Sequence, residues 1–218
     1  MNQDRQTADV CLTRRGFGRS ALLLAGATLC AGFRWAPKSN PNPAALLEAL
    51  NARLPFYPHS AWTRVAPISY RLDPAEPYYR ITIHHEGNQA NYDRSIPDVT
   101  RDLRLDQAAH RRRGYGDIGY HFMLDYAGRI WEGRPLKYQG AHVSSRNPGN
   151  LGIVLLGNFE IQKPSDAQKS ALVKLVAECR RFYDISRRRI YGHRNLDATL
   201  CPGKNLYTFL PTLKASTG

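Results

Sequence analysis

The 218-residue chain contains few cysteines and lacks the paired spacings that build closed metal sites. Two of its four cysteines, Cys11 and Cys30, lie near the N-terminus, and neither Cys-x-x-Cys nor His-x-x-x-His occurs anywhere. A structural zinc site of the finger type is therefore excluded. Cys179 and Cys201 remain as partners for one disulfide. Because Cys179 falls on the apolar face of a predicted helix, we expect two free thiols instead.

Acidic residues are also scarce, with 18 Asp and Glu against 31 Lys and Arg, a formal net charge of +13. Such a surface favours polyanions, namely nucleic acid, anionic lipid headgroups or an acidic polymer, unless the charge serves solubility alone. The chain has no zinc-finger, RNA-binding aromatic or glycine-rich phosphate pattern. We therefore predict no nucleic-acid partner.

No apolar run is long enough to span a bilayer. The longest begins after Ser20 and covers about a dozen residues, whereas a spanning helix needs about 20. Arg14, Arg15 and Phe17 precede it, which is the pattern of a twin-arginine export signal. We expect a signal peptide over 1–32 and a periplasmic or secreted mature chain without a transmembrane segment. The alternatives are lipid attachment at Cys30 and an ordinary cytosolic helix.

The remainder has no internal repeat and no low-complexity tract, which predicts a linker over 33–43 and a single domain over 44–218. Helical and strand patterns alternate along it. This alternation predicts an α/β fold, with a central mixed sheet flanked by helices. The predicted helices cover 44–54, 97–113, a segment opened by the capping-box residues Ser165 and Gln168, and a final turn at 206–210. The predicted strands cover 80–84, 118–124, 129–132, 152–156 and 189–192.

Three separated residues carry good zinc ligands: His84, His193 and Cys201. Three protein ligands leave a fourth position for water, whose pKa zinc lowers to about 7. The pattern therefore indicates a hydrolytic zinc centre. His85 directly follows His84 in a predicted strand, so its side chain should point to the opposite face.

Seven segments in this order resemble the zinc-dependent N-acetylmuramoyl-L-alanine amidases of the peptidoglycan-recognition and phage-lysozyme type, known as amidase type 2. The resemblance runs from about residue 62 to about residue 210. It implies the amidase fold, a zinc cofactor and a peptidoglycan or muropeptide substrate; separately, we expect a monomer. The segments are Ile-Thr-Ile-His84-His85, Asp117-Ile-Gly-Tyr120-His-Phe, Gly128-Arg-Ile-Trp-Glu-Gly-Arg134, Gly140-Ala-His142, Gly152-Ile-Val-Leu-Leu-Gly-Asn158-Phe, Gly192-His193-Arg and Cys201-Pro-Gly.

The resemblance also assigns roles to individual residues. It places the zinc on His84, His193 and Cys201. It makes Tyr120 the catalytic tyrosine and Thr199 a neutral donor to the substrate oxygen. Another branch of amidases uses a glutamate on the buried strand and an aspartate as third ligand, residues that this chain lacks at those places.

Further matches concern the substrate. His142 corresponds to a histidine that lines the substrate cleft. Relatives that prefer meso-diaminopimelate carry Gly-Trp before the tyrosine segment and an arginine after Glu-Gly, where this chain has Gly114, Tyr115 and Arg134. Arg134 would hold the additional carboxylate with two hydrogen bonds, although tyrosine in place of tryptophan weakens the match.

Taken together, the sequence predicts an exported zinc hydrolase that cleaves the amide bond between N-acetylmuramic acid and L-alanine. One alternative is a protein that recognises peptidoglycan without cutting it. Family members that lose catalysis characteristically lose the cysteine ligand, which here is present as Cys201. A third class, a basic nucleic-acid-binding domain with a structural metal, would require a fourth protein ligand.

Overall fold

A six-stranded mixed sheet forms the centre of the computed structural model, which describes residues 40–218. The predicted signal peptide and all but the end of the predicted linker lie outside the described residues. The strand order is β1-β4-β3-β5-β2-β6, with β3 and β4 antiparallel and every other neighbouring pair parallel. The strands are β1 (Phe56–Tyr57), β2 (Arg80–His85), β3 (Phe122–Leu124), β4 (Ile130–Glu132), β5 (Asn150–Leu155) and β6 (Ile190–Gly192).

Helices cover both faces of this sheet, and each face has its own cluster of buried apolar side chains. The helices α1 and α3 pack with Ile81, Ile83 and Ile153 on one face. On the other face α2 packs with Met123 and Val154. Alternating side chains of the same strands thus enter different cores, which confirms the predicted α/β class. The helices are α1 (Pro43–Arg53), α2 (Ile96–Arg112), α3 (Asp166–Tyr183), α4 (Lys204–Tyr207) and α5 (Leu210–Ser216).

The start of α3 follows from its sequence. Ser165 accepts a hydrogen bond from the backbone N–H of Gln168, whose side chain accepts one from the backbone N–H of Ser165. This reciprocal pair is the predicted capping box. Later in the helix, Cys179 is fully buried, and both it and Cys201 are free thiols, as expected.

Two predicted elements differ from the structure. The strand expected from Ile118 begins only at Phe122, because the carbonyls of Gly119 and Tyr120 accept from the loop amides of Ala141 and Arg134. The final helical turn is two helices, α4 and α5. Pro211 stands in the first turn of α5, a position that tolerates the missing N–H. Within residues 40–218, no helix is both long and apolar enough to cross a membrane.

Candidate metal centre

Three ligand-type side chains converge beside the end of β2. The register of β2 and β6 pairs Ile83 with Gly192, so the next residues, His84 and His193, become neighbours. Their ring centroids lie 4.7 Å apart. The loop after β6 returns Cys201, and one ligand atom from each of these three side chains lies within 4.8 Å of the other two. The structure therefore brings together the three predicted metal ligands.

Backbone hydrogen bonds hold Cys201 in this position. Its carbonyl accepts from the N–H of Arg194 at 2.8 Å. Its sulfur accepts from the N–H of His85 at 3.4 Å, which stabilises negative charge on Sγ. His85 itself lies on the opposite face of β2, where its Nδ1 accepts from the backbone N–H of Phe159. The alternation of β2 thus separates the ligand histidine from its neighbour.

The donor set fits a zinc ion. The Sγ of Cys201 lies 3.6 Å from the Nδ1 of His84. A tetrahedral zinc ion at its usual bond lengths separates sulfur and nitrogen ligands by about 3.6 Å. The Nε2 of His193 is buried and has no hydrogen bond among the described residues. Two imidazoles and one thiolate are typical zinc ligands, and three of them leave one position open.

Electrostatics keeps the two histidines in the neutral form that suits a cation. Burial lowers the pKa of His84 well below its ordinary value, with a smaller contribution from His142, so the ring is neutral. Burial also lowers the pKa of His193. The pKa of the Cys201 thiol rises to about 12 through burial, partly offset by the His85 N–H. A bound cation would reverse this last shift, because metal coordination deprotonates a thiol.

Tyr120 lies beside His84, one of the three predicted ligands. Its ring centroid is 5.2 Å from that of His84. Burial, followed by the nearby Cys201, raises the pKa of the Tyr120 phenol well above its ordinary value. The phenol therefore stays protonated near neutral pH and can donate a hydrogen bond.

Thr199 is tied to the same loop. Its Oγ1 accepts from the backbone N–H of Cys201 at 3.2 Å. That bond uses a lone pair of the hydroxyl and leaves its proton for another acceptor. Both groups predicted to act as donors are thus positioned around the ligand cluster.

The predicted substrate residues have more varied surroundings. His142 is only 8 % exposed, and its ring lies between His84 and the backbone carbonyl of Asn150. Gly114, with a φ of 92°, follows the end of α2. Tyr115 stacks on the ring of His110, with centroids 5.4 Å apart. Direct contact of these residues with a substrate stays a prediction.

Arg134 is 4 % exposed, and its guanidinium already has backbone partners. Nε, Nη1 and Nη2 donate to three carbonyls, those of Ile118 at 2.8 Å, Gln139 at 2.7 Å and Asp117 at 3.1 Å. These bonds hold the segment before β3 against the loop after β4. The role of Arg134 toward a stem-peptide carboxylate stays a prediction as well.

One acidic group that acts on Tyr120 was not singled out by the sequence analysis. Asp106 lies on α2 and raises the pKa of Tyr120. Its own carboxyl has a pKa raised to about 7 by burial and then by the charges of Glu86 and Asp102. In the sequence, Asp106 is simply a polar position of an amphipathic helix. The sequence signal for this arrangement is that Asp102 and Asp106 lie four residues apart, which places both carboxylates on the same side of α2.

Comparisons with known proteins identify relatives of this chain. The sequence profile of the N-acetylmuramoyl-L-alanine amidase family matches residues 74–204. Peptidoglycan-recognition protein SD of Drosophila simulans is 31 % identical over 172 residues, which cover 74 % of this chain and 87 % of that protein.

Solved structures share the fold. The N-acetylmuramoyl-L-alanine amidase LysC from Clostridium intestinale superposes with a TM-score of 0.58 at 27 % identity, covering 73 % of this chain and 95 % of that one. Peptidoglycan recognition protein LE, solved in complex with tracheal cytotoxin, gives 0.65 at 29 % identity, covering 72 % and 92 %. With the family profile spanning more than half of its length, this chain belongs to the amidase type 2 family, which includes the peptidoglycan-recognition proteins.

Proposed function

We propose that this protein is a zinc-dependent N-acetylmuramoyl-L-alanine amidase that cleaves the bond between N-acetylmuramic acid and L-alanine in peptidoglycan. The observation that carries the proposal is the convergence of His84, His193 and Cys201 within 4.8 Å, next to the phenol of Tyr120. Both the ligand cluster and a protonated hydrogen-bond donor are needed for amide hydrolysis of this kind.

The chain's own residues divide the work of hydrolysis. His84, His193 and Cys201 would hold zinc, which would supply a Lewis acid and lower the pKa of a water to near neutral. The Tyr120 phenol donates to the oxygen that becomes negative when the amide carbonyl is attacked. The Thr199 hydroxyl, aligned by the Cys201 N–H, provides a second neutral donor. Neither donor has to gain or lose a proton first, since each is protonated at neutral pH.

For the substrate, we propose a preference for diaminopimelate-type stem peptides. Support comes from peptidoglycan recognition protein LE, a structural relative solved with tracheal cytotoxin, a monomeric diaminopimelic acid-type peptidoglycan. In this chain Arg134 would be the carboxylate partner. Its three backbone hydrogen bonds leave two of five guanidinium N–H groups for a ligand. Gly114, Tyr115 and His142 complete the proposed substrate residues.

We further propose that the protein is exported. The support is the Arg14-Arg15 motif followed by a short apolar run, which the family resemblance does not require. A wall-degrading enzyme with this signal acts in the periplasm or outside the cell. We propose residues 1–32 as the signal, 33–43 as a linker and 44–218 as a monomeric catalytic domain.

The second candidate function is recognition of peptidoglycan without cleavage. The names of the curated relatives, which are peptidoglycan-recognition proteins, favour it. Cys201, the ligand whose loss accompanies loss of catalysis in this family, is present and favours hydrolysis.

Digestion of diaminopimelate-type peptidoglycan separates the two functions. The zinc-loaded mature domain should release free stem peptides that begin with L-alanine, detected by mass spectrometry, and a chelator should abolish the release. Binding to sacculi without released peptide would establish the recognition function instead. Equal turnover of lysine-type muropeptides would overturn the proposed stem-peptide preference.

Replacing Cys201 tests the metal assignment. Cys201→Ala removes the sulfur ligand, so both zinc content and peptide release should be lost, as measured by atomic emission and mass spectrometry. The matched control is Cys179→Ala, which removes the buried thiol of α3 and should leave zinc content unchanged. Undiminished hydrolysis by Cys201→Ala would contradict the proposed mechanism.

A further inference from the structure

We propose that His142 is a positioning residue that fixes the tautomer and orientation of the ligand histidine His84. The proposal rests on the proposed zinc site and adds a function for a residue that sequence alone placed in the substrate cleft. It concerns the two nitrogens of the His84 ring. Nδ1 faces Cys201, and Nε2 faces His142.

The chain of hydrogen bonds determines which nitrogen carries each proton. The Nε2 of His142 lies 3.1 Å from the backbone carbonyl of Asn150, which can only accept. Nε2 of a neutral His142 ring therefore carries the proton, and its Nδ1 holds a lone pair. That lone pair lies 3.0 Å from the Nε2 of His84, which must then be the donor. As a result, the Nδ1 of His84 has the free lone pair that a metal requires.

The last acceptor in this series of hydrogen bonds is the backbone carbonyl of Asn150, and the side chain of Asn150 is itself held by two hydrogen bonds. The side-chain amide of Asn150 donates to the carbonyl of Arg146 at 2.9 Å. Its oxygen accepts from the hydroxyl of Thr82 at 2.8 Å, which links it to β2, the strand that carries His84. The Asn150 carbonyl thus stays in a constant place relative to His84.

The His142 ring also packs closely against two glycines, where any side chain would clash with the ring. A Cβ added to Gly152 would come within 2.4 Å of Cδ2 of this ring, and one added to Gly140 within 2.5 Å. From the backbone side, Asn147 accepts from the N–H of His142 at 2.9 Å. A larger residue at either position would therefore displace the ring from its place between His84 and Asn150.

The hydrogen bonds from His84 to His142 and from His142 to the Asn150 carbonyl form a relay, and two substitutions test it. His142→Leu removes the acceptor for His84, whereas His142→Asn retains a side-chain oxygen near the place of Nδ1. Loss of a partner that orients a ligand typically lowers metal affinity about 10–100-fold. We therefore expect this loss in zinc affinity for His142→Leu, measured by competition with a chromophoric chelator, and substantial recovery in His142→Asn.

Nitrogen NMR of the zinc-free protein supplies a readout that does not depend on activity. In the native chain His84 should be protonated at Nε2, and in His142→Leu it should populate both tautomers. Gly152→Ala, which displaces the ring while keeping the histidine, should act like His142→Leu. His110→Leu is the matched control, because His110 accepts its hydrogen bond from the backbone N–H of Gly119 and not from a predicted metal ligand, so zinc affinity should stay constant.

The outcomes separate this proposal from the proposed function. Unchanged zinc affinity and an unchanged His84 tautomer in folded His142→Leu would overturn the relay. An increase in KM alone would indicate that His142 contacts the substrate instead. A native chain that binds zinc through the relay but releases no peptide would instead contradict the amidase. If native protein does not retain zinc, the amidase proposal fails, and the tautomer of His84 still decides the relay.

Discussion

At the residue scale, burial determines which groups near the site carry charge. His84 and His121 have pKa values lowered mainly by burial, and the pKa of Tyr120 is raised by it. Neutral imidazoles offer lone pairs, and a protonated phenol offers a hydrogen. Burial thus favours the uncharged forms of His84 and Tyr120 that the proposed hydrolysis uses.

Removing the Tyr120 hydroxyl tests its role as donor. Tyr120→Phe keeps the ring beside His84, so the fold and zinc content should persist. Loss of one donor to a developing oxyanion typically lowers kcat about 10²–10³-fold, and we expect a loss of this size on soluble muropeptides. Tyr70→Phe, at an 82 % exposed position, is the control and should retain native kcat. A Tyr120→Phe enzyme with native kcat would remove the phenol from the mechanism.

His121 predicts how stability depends on pH. Its Nδ1 accepts from the N–H of Gly152, and its Nε2 lies 3.1 Å from the carbonyl of Tyr138. Burial lowers its pKa to about 3 from the ordinary value of about 6.5. As the pH falls, His121 of the unfolded chain binds a proton before His121 of the folded protein does. The folding stability associated with neutral His121 is therefore fully present above pH 6.5. It is lost as the pH falls toward 3, by at most about 1.4 kcal/mol per pH unit.

Urea unfolding with chelator present, at pH 7 and pH 4.5, measures this dependence. His121→Gln should be less stable than native protein at pH 7 and should lose less stability on acidification. An equal loss in both proteins would show that His121 does not contribute to the acid sensitivity.

At the scale of elements, the alternation of β2 places two adjacent histidines in different environments. His84 faces His193 and Cys201, while His85 packs near Phe159 on the opposite face. Parallel pairing with β6 then brings His193 level with His84. The site therefore depends on the register of two neighbouring strands, and Cys201 is added by the loop after β6.

The α3 cap offers a prediction that is independent of the site. Ser165→Ala removes the hydroxyl that accepts from Gln168 and donates to the carbonyl of Tyr126. Loss of such a cap costs about 1 kcal/mol, which corresponds to about 2–4 °C in Tm for a domain of this size. Calorimetry should show this decrease with zinc affinity unchanged. Ser170→Ala, at an exposed position of the same helix, should leave Tm equal or slightly higher.

At the scale of the whole molecule, the excess of basic residues extends beyond the site. The formal charge is +13, and Arg187, Arg188 and Arg189 form an exposed turn before β6. A surface of this sign attracts an acidic polymer over a distance that salt shortens. The charge can therefore assist binding to an anionic wall without taking part in hydrolysis.

Arg187→Gln combined with Arg188→Gln tests this contribution. Binding of the double variant to sacculi should be several-fold weaker than native at about 50 mM salt. The difference should disappear near 1 M salt, where the screening length is about 3 Å. Turnover of soluble muropeptides should not change. A difference that persists at high salt would indicate a specific contact instead of long-range attraction.

The sequence by itself determined the α/β class and the α3 helix with its cap, and it singled out the three side chains that the fold brings together as a possible metal site. Periodicity and capping are local, so they are readable along the chain. Motif order likewise needs no coordinates. His84, His193 and Cys201 were predicted as a set because their chemistry and the family resemblance agree.

Only the tertiary structure decided the surroundings of these residues. Non-local contacts enclose His142 between Gly140 and Gly152, and they direct Arg134 toward three backbone carbonyls. They also expose the Tyr120 phenol to the charge of Asp106, which raises its pKa. Burial and hydrogen-bond partners depend on segments far apart in sequence, and no local pattern records them. The sequence thus determined which chemical groups are available, and folding decided their protonation, orientation and neighbours.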